Sequence, residues 1–297
     1  MTDTDVARAR DLTAESNGDA IAYQGEPGAF SHQACLEVYP GMRPVAHNTF
    51  EAAVGAVTSG EAKLAMLPVE NSLYGRVADV HHLLPESGLY LIAEHFLPIR
   101  LQLLAPPGAN MDSLVSAESH MVALGQCRAF LREKKLTARV VADTAGAAKA
   151  VAEAGDASRG AIASRLAGEI YGLDLVAQNI EDAAHNTTRF LVASRRKIEA
   201  DRHDGPAITT LVFRVRNIPA ALYKAMGGFA TNNVNMVKLE SYMLNGLFTA
   251  TQFYADIEGH PDDPNVALAL EELTFFSSYM KVLGVYPASA ARRERGG

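Results

Sequence analysis

From residue 207 onward the chain repeats one short pattern: strand, helix, strand, strand, helix, strand. Residues 207–216 alternate, with Leu211, Phe213 and Val215 on one face, as a half-buried strand does. Pro219 is expected to open a helix, with Asn217 or Ile218 near its cap and Leu222, Met226 and Phe229 along one side. Residues 234–243 and 247–258 read as strands joined across 244–246, where Asn245-Gly246 is a strong hairpin-turn pair. Asp263-Pro264 supplies an N-cap followed by proline at the first helical position. Val266, Leu270 and Leu273 mark that helix's apolar face, and 280–285 closes as a last strand. The order β-α-β-β-α-β is that of a ferredoxin-like domain. It carries no evident nucleophile, base or metal constellation, the profile of a binding or regulatory module.

Ahead of it, 194–206 (SRRKIEADRHDGP) is charged, poor in apolar residues and ends in Gly-Pro, which reads as a linker. Upstream of the linker, short apolar runs alternate with helical patterns. Strands are expected at 20–23, 63–69, 89–99 and 160–164, and helices at 49–59 (closed by Gly60), 121–132 and 144–154 (closed by Gly155). Interleaved strands and helices imply a parallel-rich sheet, hence an α/β first module. The expected boundaries are a disordered tail at 1–19, a first module at 20–194, a linker at 195–206 and a second module at 207–297.

Composition narrows the function classes. Lys+Arg 27 against Asp+Glu 34 gives −7 without a basic block, which argues against a nucleic-acid partner. No uninterrupted run of eighteen apolar residues exists, and the first twenty residues lack a signal peptide's apolar core, so the expectation is a cytoplasmic protein without a membrane partner. Cys35 and Cys127 are too few for a disulfide framework or a cysteine zinc site and read as small buried hydrophobes. His81-His82 has no metal-ligand spacing and reads as surface or core. No G-x-S-x-G elbow supports a serine nucleophile. No metal is expected on the His81-His82 spacing.

Four polar segments of the first module fall where an α/β protein places its loops. Gln24–Ser31 (QGEPGAFS) follows the first strand; Gly28 and Ser31 suit either an anion site at a helix start or a simple turn. Pro68–Gly75 (PVENSLYG) lies at the carboxyl end of a strand, where open α/β folds bind ligands. There Glu70 is a candidate acid and Asn71 offers donor and acceptor, whereas the plainer reading makes Asn71 and Ser72 a turn and cap. In Ser119–Cys127, Ser119 is a candidate N-cap, and Gln126 faces either a cleft or solvent. In Asn186–Phe190 (NTTRF), Arg189 suits bidentate grip on a carboxylate, or pairing with a surface acid.

Taken together, and in order, YQGEPGAFSHQAC (23–35), LPVENSLYGRV (67–77), SH with QC (119–127), DTAGAA (143–148) and NTTRFLV (186–192) resemble the prephenate dehydratase family. The resemblance spans about Ala20 to Pro287, and the ENS-x-x-G and TRF segments are specific as a pair. Through NIPAALYKAMGGFATNNVNMVKLES (217–241) the second module resembles an ACT domain, that family's phenylalanine-sensing part.

The resemblance implies two α/β lobes like those of a periplasmic binding protein, crossed twice by the chain near Ile99–Leu101 and near Arg189. It implies a cofactor-free hydro-lyase that converts prephenate to phenylpyruvate in phenylalanine biosynthesis. Thr188 is then the main catalytic residue, with Glu70, Asn71 and Gln126 beside it. Ser72, Ser119, Arg189, Phe190, Gly28 and Ser31 would contact substrate, Arg189 by holding the pyruvyl carboxylate. Ala221, Leu222, Asn235, Met236, Glu240 and Ser241 would hold L-phenylalanine as effector, in a homodimer or homotetramer assembled through ACT domains.

The chain departs from the family pattern in places. Met121-Val122 stands where Pro-Gln is common after His120, and Ala29 where a hydroxyl residue is common. Ala220-Ala221-Leu222-Tyr223 approximates the family's Gly-Ala-Leu segment, and Tyr242-Met243 replaces the Arg-Pro of Glu-Ser-Arg-Pro. Arogenate dehydratase, a solute-binding protein and a non-catalytic amino-acid-binding regulator are the alternatives, and turnover of prephenate separates them.

Overall fold

The structure, a computed structural model, describes residues 18–243 and 250–295. The chain opens with β1 (Ala20–Gln24), α1 (Phe30–Val38), β2 (Arg43–His47), α2 (Phe50–Ser59), β3 (Leu64–Asn71) and β4 (Gly75–Arg76). Next come α3 (Ala78–Leu83), a 3-10 turn (Leu84–Glu86) and β5 (Tyr90–Pro98). A second group follows: β6 (Gln102–Ala105), β7 (Ser116–His120), α4 (Met121–Gly125), α5 (Arg128–Glu133), β8 (Thr137–Val141), α6 (Thr144–Ala154), β9 (Arg159–Ala163), α7 (Arg165–Tyr171) and β10 (Asp174–Ala177). After β11 (Thr187–Ser194) the chain runs through β12 (Ala207–Val215), α8 (Ala221–Thr231), β13 (Met236–Met243), β14 (Ala250–Glu258), α9 (Pro264–Phe276), β15 (Ser277–Pro287) and α10 (Ala291–Arg295).

Among the described residues two units are distinguished by packing, one formed by 18–77 with 95–190, the other by 78–94 with 191–243 and 250–295. The first is itself two-lobed. In one lobe β1 lies parallel between β2 and β3, in the order β11-β3-β1-β2. Its central strands are buried on both faces, so they read as continuous apolar runs rather than alternations. The other lobe is a five-stranded sheet ordered β10-β6-β9-β7-β8. Its core is built on Leu104 and Val151 with Ala148, Ala161 and Ala167, whose small side chains let α6 and α7 lie close to the sheet.

The chain crosses between the lobes over 99–101 and returns over 178–186, and the two crossings are bonded to each other. Ile99 N–H donates to the Asn186 carbonyl and Ile180 N–H to the Leu101 carbonyl, both at 2.9 Å. Glu181 reinforces them, accepting from Arg100 at 2.8 Å and from the Leu101 amide at 2.9 Å. The first crossing falls where the family likeness puts it. The return precedes Arg189, which already lies inside β11.

Helix ends follow local chemistry. Thr49, Asp143 and Ser164 each accept a backbone amide of the first turn, and Gly60 and Gly155 end α2 and α6 in the left-handed conformation. The expected single helix at 121–132 is broken into α4 and α5 at Gln126-Cys127. The return crossing reaches in there: the Asp182 amide donates to the Gln126 carbonyl at 2.6 Å, while the Asp182 carboxylate accepts from the Ala129 amide. The cap of α4 is His120, whose Nδ1 accepts from the Val122 amide, and not Ser119.

The other unit has the ferredoxin-like topology. Its strands run antiparallel in the order β13-β14-β12-β15, with α8 and α9 packed on a core of Leu211, Phe213, Phe229, Phe253, Val266 and Leu273. Helix α8 starts at Ala221, after Pro219, because Ala220 adopts φ 62° in a turn closed by the Ala221 amide on the Ile218 carbonyl. Residues 195–206 form no helix or strand. The expected turn at 244–246 and the start of its second strand lie outside the described residues, as does 1–17 of the expected tail.

Candidate active site at the ends of two strands

Strand β3 presents Glu70 and Asn71 at its carboxyl end, and β4 folds back on them, Glu70 facing Arg76 and Asn71 facing Gly75. Asn71 sets the turn between. Its Oδ1 accepts from the amides of Leu73 at 3.0 Å and Tyr74 at 3.1 Å, an Asx turn. Those bonds fix which end of the side chain is oxygen. Nδ2 therefore points to the start of β11, where it donates to Asn186 Oδ1 at 2.9 Å and Thr188 Oγ1 at 3.0 Å.

Ser72 ties the same turn to the segment before β11. Its amide donates to the Thr187 carbonyl at 2.9 Å, and its hydroxyl donates to the His185 carbonyl and accepts from the Thr187 amide, both at 3.0 Å. Arg189, next on β11, is buried with 2% of its side chain exposed and donates to Glu70 Oε1 at 2.9 Å, where Glu70 is 31% exposed. The guanidinium also lies over the Phe96 ring, 5.9 Å from its centroid. Phe190 is fully buried. Glu70, Asn71, Ser72, Thr188 and Arg189 are thus assembled from two segments more than a hundred residues apart, with Thr188 partly open to solvent.

The remaining candidates lie elsewhere in the same unit. Ser119 is buried at the end of β7 and donates its hydroxyl to the Ile162 carbonyl at 2.6 Å. Gln126 is buried at the end of α4. Gly28 and Ser31 are buried at the start of α1; the Gly28 amide donates to His32 Nδ1 at 3.0 Å and its Cα packs on Ala167 of α7. Ser164 donates to the Gly28 carbonyl, and Tyr171 to the Pro27 carbonyl at 2.9 Å, so this loop binds one lobe to the other.

Two neighbours escaped the sequence reading. Asn186 is fully buried, accepts from Asn71, and has an Nδ2 without a partner among the described residues. It stands in the quoted NTTRF run, which was the available signal. Tyr74 reaches from the β3–β4 turn to the other lobe, donating to the Val122 carbonyl at 3.3 Å above Gly125. Only its spacing from Asn71 hinted at this. Both cysteines are buried and their thiols pushed up by desolvation, which removes them as nucleophiles. Among the described residues no group of three or more His, Cys, Asp or Glu side chains could hold a metal, and no helix is long and apolar enough to cross a membrane.

The model of the prephenate dehydratase family matches residues 21–198, which include every residue of this cluster. The chain belongs to the prephenate dehydratase family. A bifunctional N-acyl-homoserine lactone acylase/prephenate dehydratase of Komagataeibacter europaeus is 50% identical over 279 residues, covering 94% of this chain and 99% of that one. An arogenate dehydratase/prephenate dehydratase of Arabidopsis thaliana is 35% identical, over 93% of this chain and 75% of that one. Among solved structures, the prephenate dehydratase of Arthrobacter aurescens in complex with L-Phe superposes with a TM-score of 0.83 at 29% identity, over 91% of this chain and 90% of that one. A protein described as a quorum-quenching acylase superposes with a TM-score of 0.87 at 50% identity, over 92% of this chain and 100% of that one.

Proposed function

We propose that this prephenate dehydratase family member converts prephenate to phenylpyruvate, and that its ferredoxin-like unit is an ACT-type sensor of L-phenylalanine. The observation that carries the catalytic reading is the hydrogen bond from Asn71 Nδ2 to Thr188 Oγ1. In the reaction the ring carboxylate leaves as carbon dioxide and its bonding pair enters the ring. The ring C–O bond breaks, and the departing oxygen takes one proton to become water. Aromatisation supplies the driving force, so the site needs to stabilise and orient more than to protonate outright.

A hydroxyl that already accepts from an amide has its own proton free for another acceptor. Thr188 then donates to the departing oxygen as charge develops on it, an interaction worth about 10²–10³ in rate at comparable sites. Glu70 is the weaker candidate on geometry, because its Oε1 is already engaged as the acceptor of the Arg189 guanidinium. Arg189 acts through Glu70 on this reading and leaves the pyruvyl carboxylate to other groups. A cation kept away from the ring carboxylate also avoids stabilising the ground state. Gln126 orients substrate from the second lobe, while Gly28, Ser31, Ser72, Ser119 and Phe190 shape the walls.

In the sensor unit, Ala221, Leu222 and Met236 pack against the core, Asn235 Nδ2 donates to Glu258 at 3.0 Å, and Glu240 lies 3.5 Å from Lys238 Nζ. With Ser241 these residues are the proposed L-phenylalanine contacts, in a homodimer or homotetramer formed through this unit. The L-Phe complex of the Arthrobacter relative supports the effector. A cofactor-free cytoplasmic enzyme is the corresponding setting.

A second reading rests on the Komagataeibacter relative, which is also described as an N-acyl-homoserine lactone acylase. One experiment separates the readings: purified protein is given prephenate, arogenate or an N-acyl-homoserine lactone in turn, with L-phenylalanine titrated into the productive reaction. Phenylpyruvate from prephenate, suppressed by L-phenylalanine, is expected. Turnover of arogenate alone, or of the lactone alone, overturns the assignment.

A further inference from the structure

Every hydrogen-bonding valence of the Asn71 side chain is in use, and one of its bonds leads to a residue that the proposed mechanism leaves idle. Oδ1 takes the amides of Leu73 and Tyr74. The two hydrogens of Nδ2 go one to Thr188 Oγ1 and one to Asn186 Oδ1, the latter at 2.9 Å. An amide nitrogen holds its two hydrogens in one plane, so fixing the direction of one fixes the other. Asn186 Oδ1 therefore governs where the N–H that meets Thr188 points.

Asn186 is built as a fixed acceptor. It is fully buried. Its amide donates to the Ala183 carbonyl at 3.2 Å, and its carbonyl accepts from the Ile99 amide at 2.9 Å, the bond that joins the two lobe crossings. On either side of it, Ser72 holds the His185 carbonyl and the Thr187 amide, both at 3.0 Å. The two ends of its side chain are told apart by the network: Asn71 presents a donor, so Asn186 answers with oxygen. Its Nδ2 finds no partner among the described residues. A buried amide whose nitrogen is unused by the protein serves stability poorly, because the desolvation of that end is not offset. What this position supplies is the acceptor. All of these residues belong to one packing unit.

We infer that Asn186 is a positioning residue for the dehydration: its Oδ1 holds the Asn71 amide so that the remaining N–H meets Thr188, and its backbone ties that acceptor to the crossing at Ile99. The consequence in turnover rests on the dehydratase reading; the aim of the Asn71 amide does not. Without the acceptor, one Nδ2 hydrogen is left buried and unpaired, and the amide turns away from Thr188 to recover a bond. A leucine methyl in its place also pushes. Carbon contacts lie at about 3.5–4.0 Å, farther than the 2.9 Å at which the oxygen sits.

The test uses the full chain with Asn186→Leu, Asn186→Ala and Asn186→Asp, and Asn186→Leu combined with Asn71→Ala. Should Asn186→Leu fail to fold, Asn186→Ala replaces it throughout. Crystal structures of wild type and Asn186→Leu read the amide directly. The distance from Asn71 Nδ2 to Thr188 Oγ1, 3.0 Å here, is expected to exceed about 3.5 Å in the variant, beyond hydrogen-bond reach. Steady-state kinetics should show kcat down about tenfold for leucine and alanine, with KM within about twofold. Aspartate keeps an oxygen in the same place, and its kcat is expected within about threefold of wild type. The double variant should be no slower than Asn71→Ala alone, because one residue acts through the other. An Asn71–Thr188 bond unchanged in the leucine variant overturns the inference whatever the kinetics. Losses that multiply in the double variant overturn it too, since Asn186 would then act independently of Asn71. Folded aspartate as slow as leucine overturns it as well, because shape and not the acceptor would be what matters. A displaced amide in a protein whose wild type never turns over prephenate retains the inference and rejects the dehydratase reading.

Discussion

Asn71 and Thr188 are 117 positions apart in the chain, and their side chains meet at 3.0 Å, the amide donating and the hydroxyl accepting. The direction is set by the Asx turn, which uses the Asn71 oxygen. It makes Asn71→Asp a sharper change than Asn71→Ala. A carboxylate accepts where the amide donated, so it takes the Thr188 proton for itself. Steady-state kinetics should show kcat falling about 10²-fold for alanine and about 10³-fold for aspartate. Aspartate equal to or better than alanine would show that the direction of this bond is immaterial.

Gly28 and Gly125 should respond differently to alanine although both sit at contacts between the lobes. Gly28 has φ 91°, and a Cβ there would lie 2.6 Å from the Ala167 Cα, so backbone must shift. Gly28→Ala is expected to cost about 2–4 kcal/mol in chemical denaturation. A Cβ at Gly125 is crowded by the Tyr74 hydroxyl, at 2.7 Å, the far end of a movable side chain, and otherwise meets the Arg128 guanidinium at an ordinary 3.8 Å. Gly125→Ala should leave stability within about 1 kcal/mol while displacing Tyr74 from Val122, and the effect appears as a raised KM for prephenate.

His32 gives the loop at Gly28 a pH dependence. Its Nδ1 accepts from the Gly28 amide at 3.0 Å and its ring stacks on Tyr23, so it must be neutral there. Burial holds it below the ordinary imidazole range. With the folded value below the unfolded one, the unfolded chain binds the proton more readily. The contribution is therefore present above the unfolded value, about pH 6.5, and lost as pH falls through the folded value. The urea midpoint should drop between about pH 7.5 and pH 5.5, and His32→Gln should reduce that drop. An unchanged drop assigns the pH dependence to other groups.

Much of this was legible locally. Thr49, Gly60, Asp143 and Gly155 bound their helices because capping is decided by neighbouring residues. The apolar runs of β1 and β3 announce strands buried on both faces. Where partners are remote, the signal fails. Strand β7, SAESH, is polar: its last two residues stand in the segment expected as a loop with Ser119 as cap, and 116–118 carry no strand signal. It is a buried interior strand because Glu118 accepts from Arg159 at 2.8 and 3.0 Å and Ser119 from its side donates to Ile162. The break after α4 is likewise made by Asp182, and the turn before α8 by Ala220 overriding the proline signal.

The candidate site divides the same way. ENS and TRF name the residues, but nothing in either run indicates that Arg189 is buried against Glu70 or that Ser72 fastens the two segments together. Those are properties of the ladder geometry at the ends of β3 and β11. The placement of α3 in the C-terminal unit is also unreadable from 78–83, whose six residues show no pattern that distinguishes one apolar surface from another.

The account turns on the Thr188 hydroxyl, and its most direct test is phenylpyruvate formation from prephenate by Thr188→Val and Thr188→Ser beside wild type. Valine keeps the shape and removes the donor; serine keeps the donor and removes a methyl. The prediction is a kcat loss of about 10²–10³ for valine with KM within about threefold, and serine within about tenfold of wild type. Valine turning over like wild type, with both variants folded, would contradict the account.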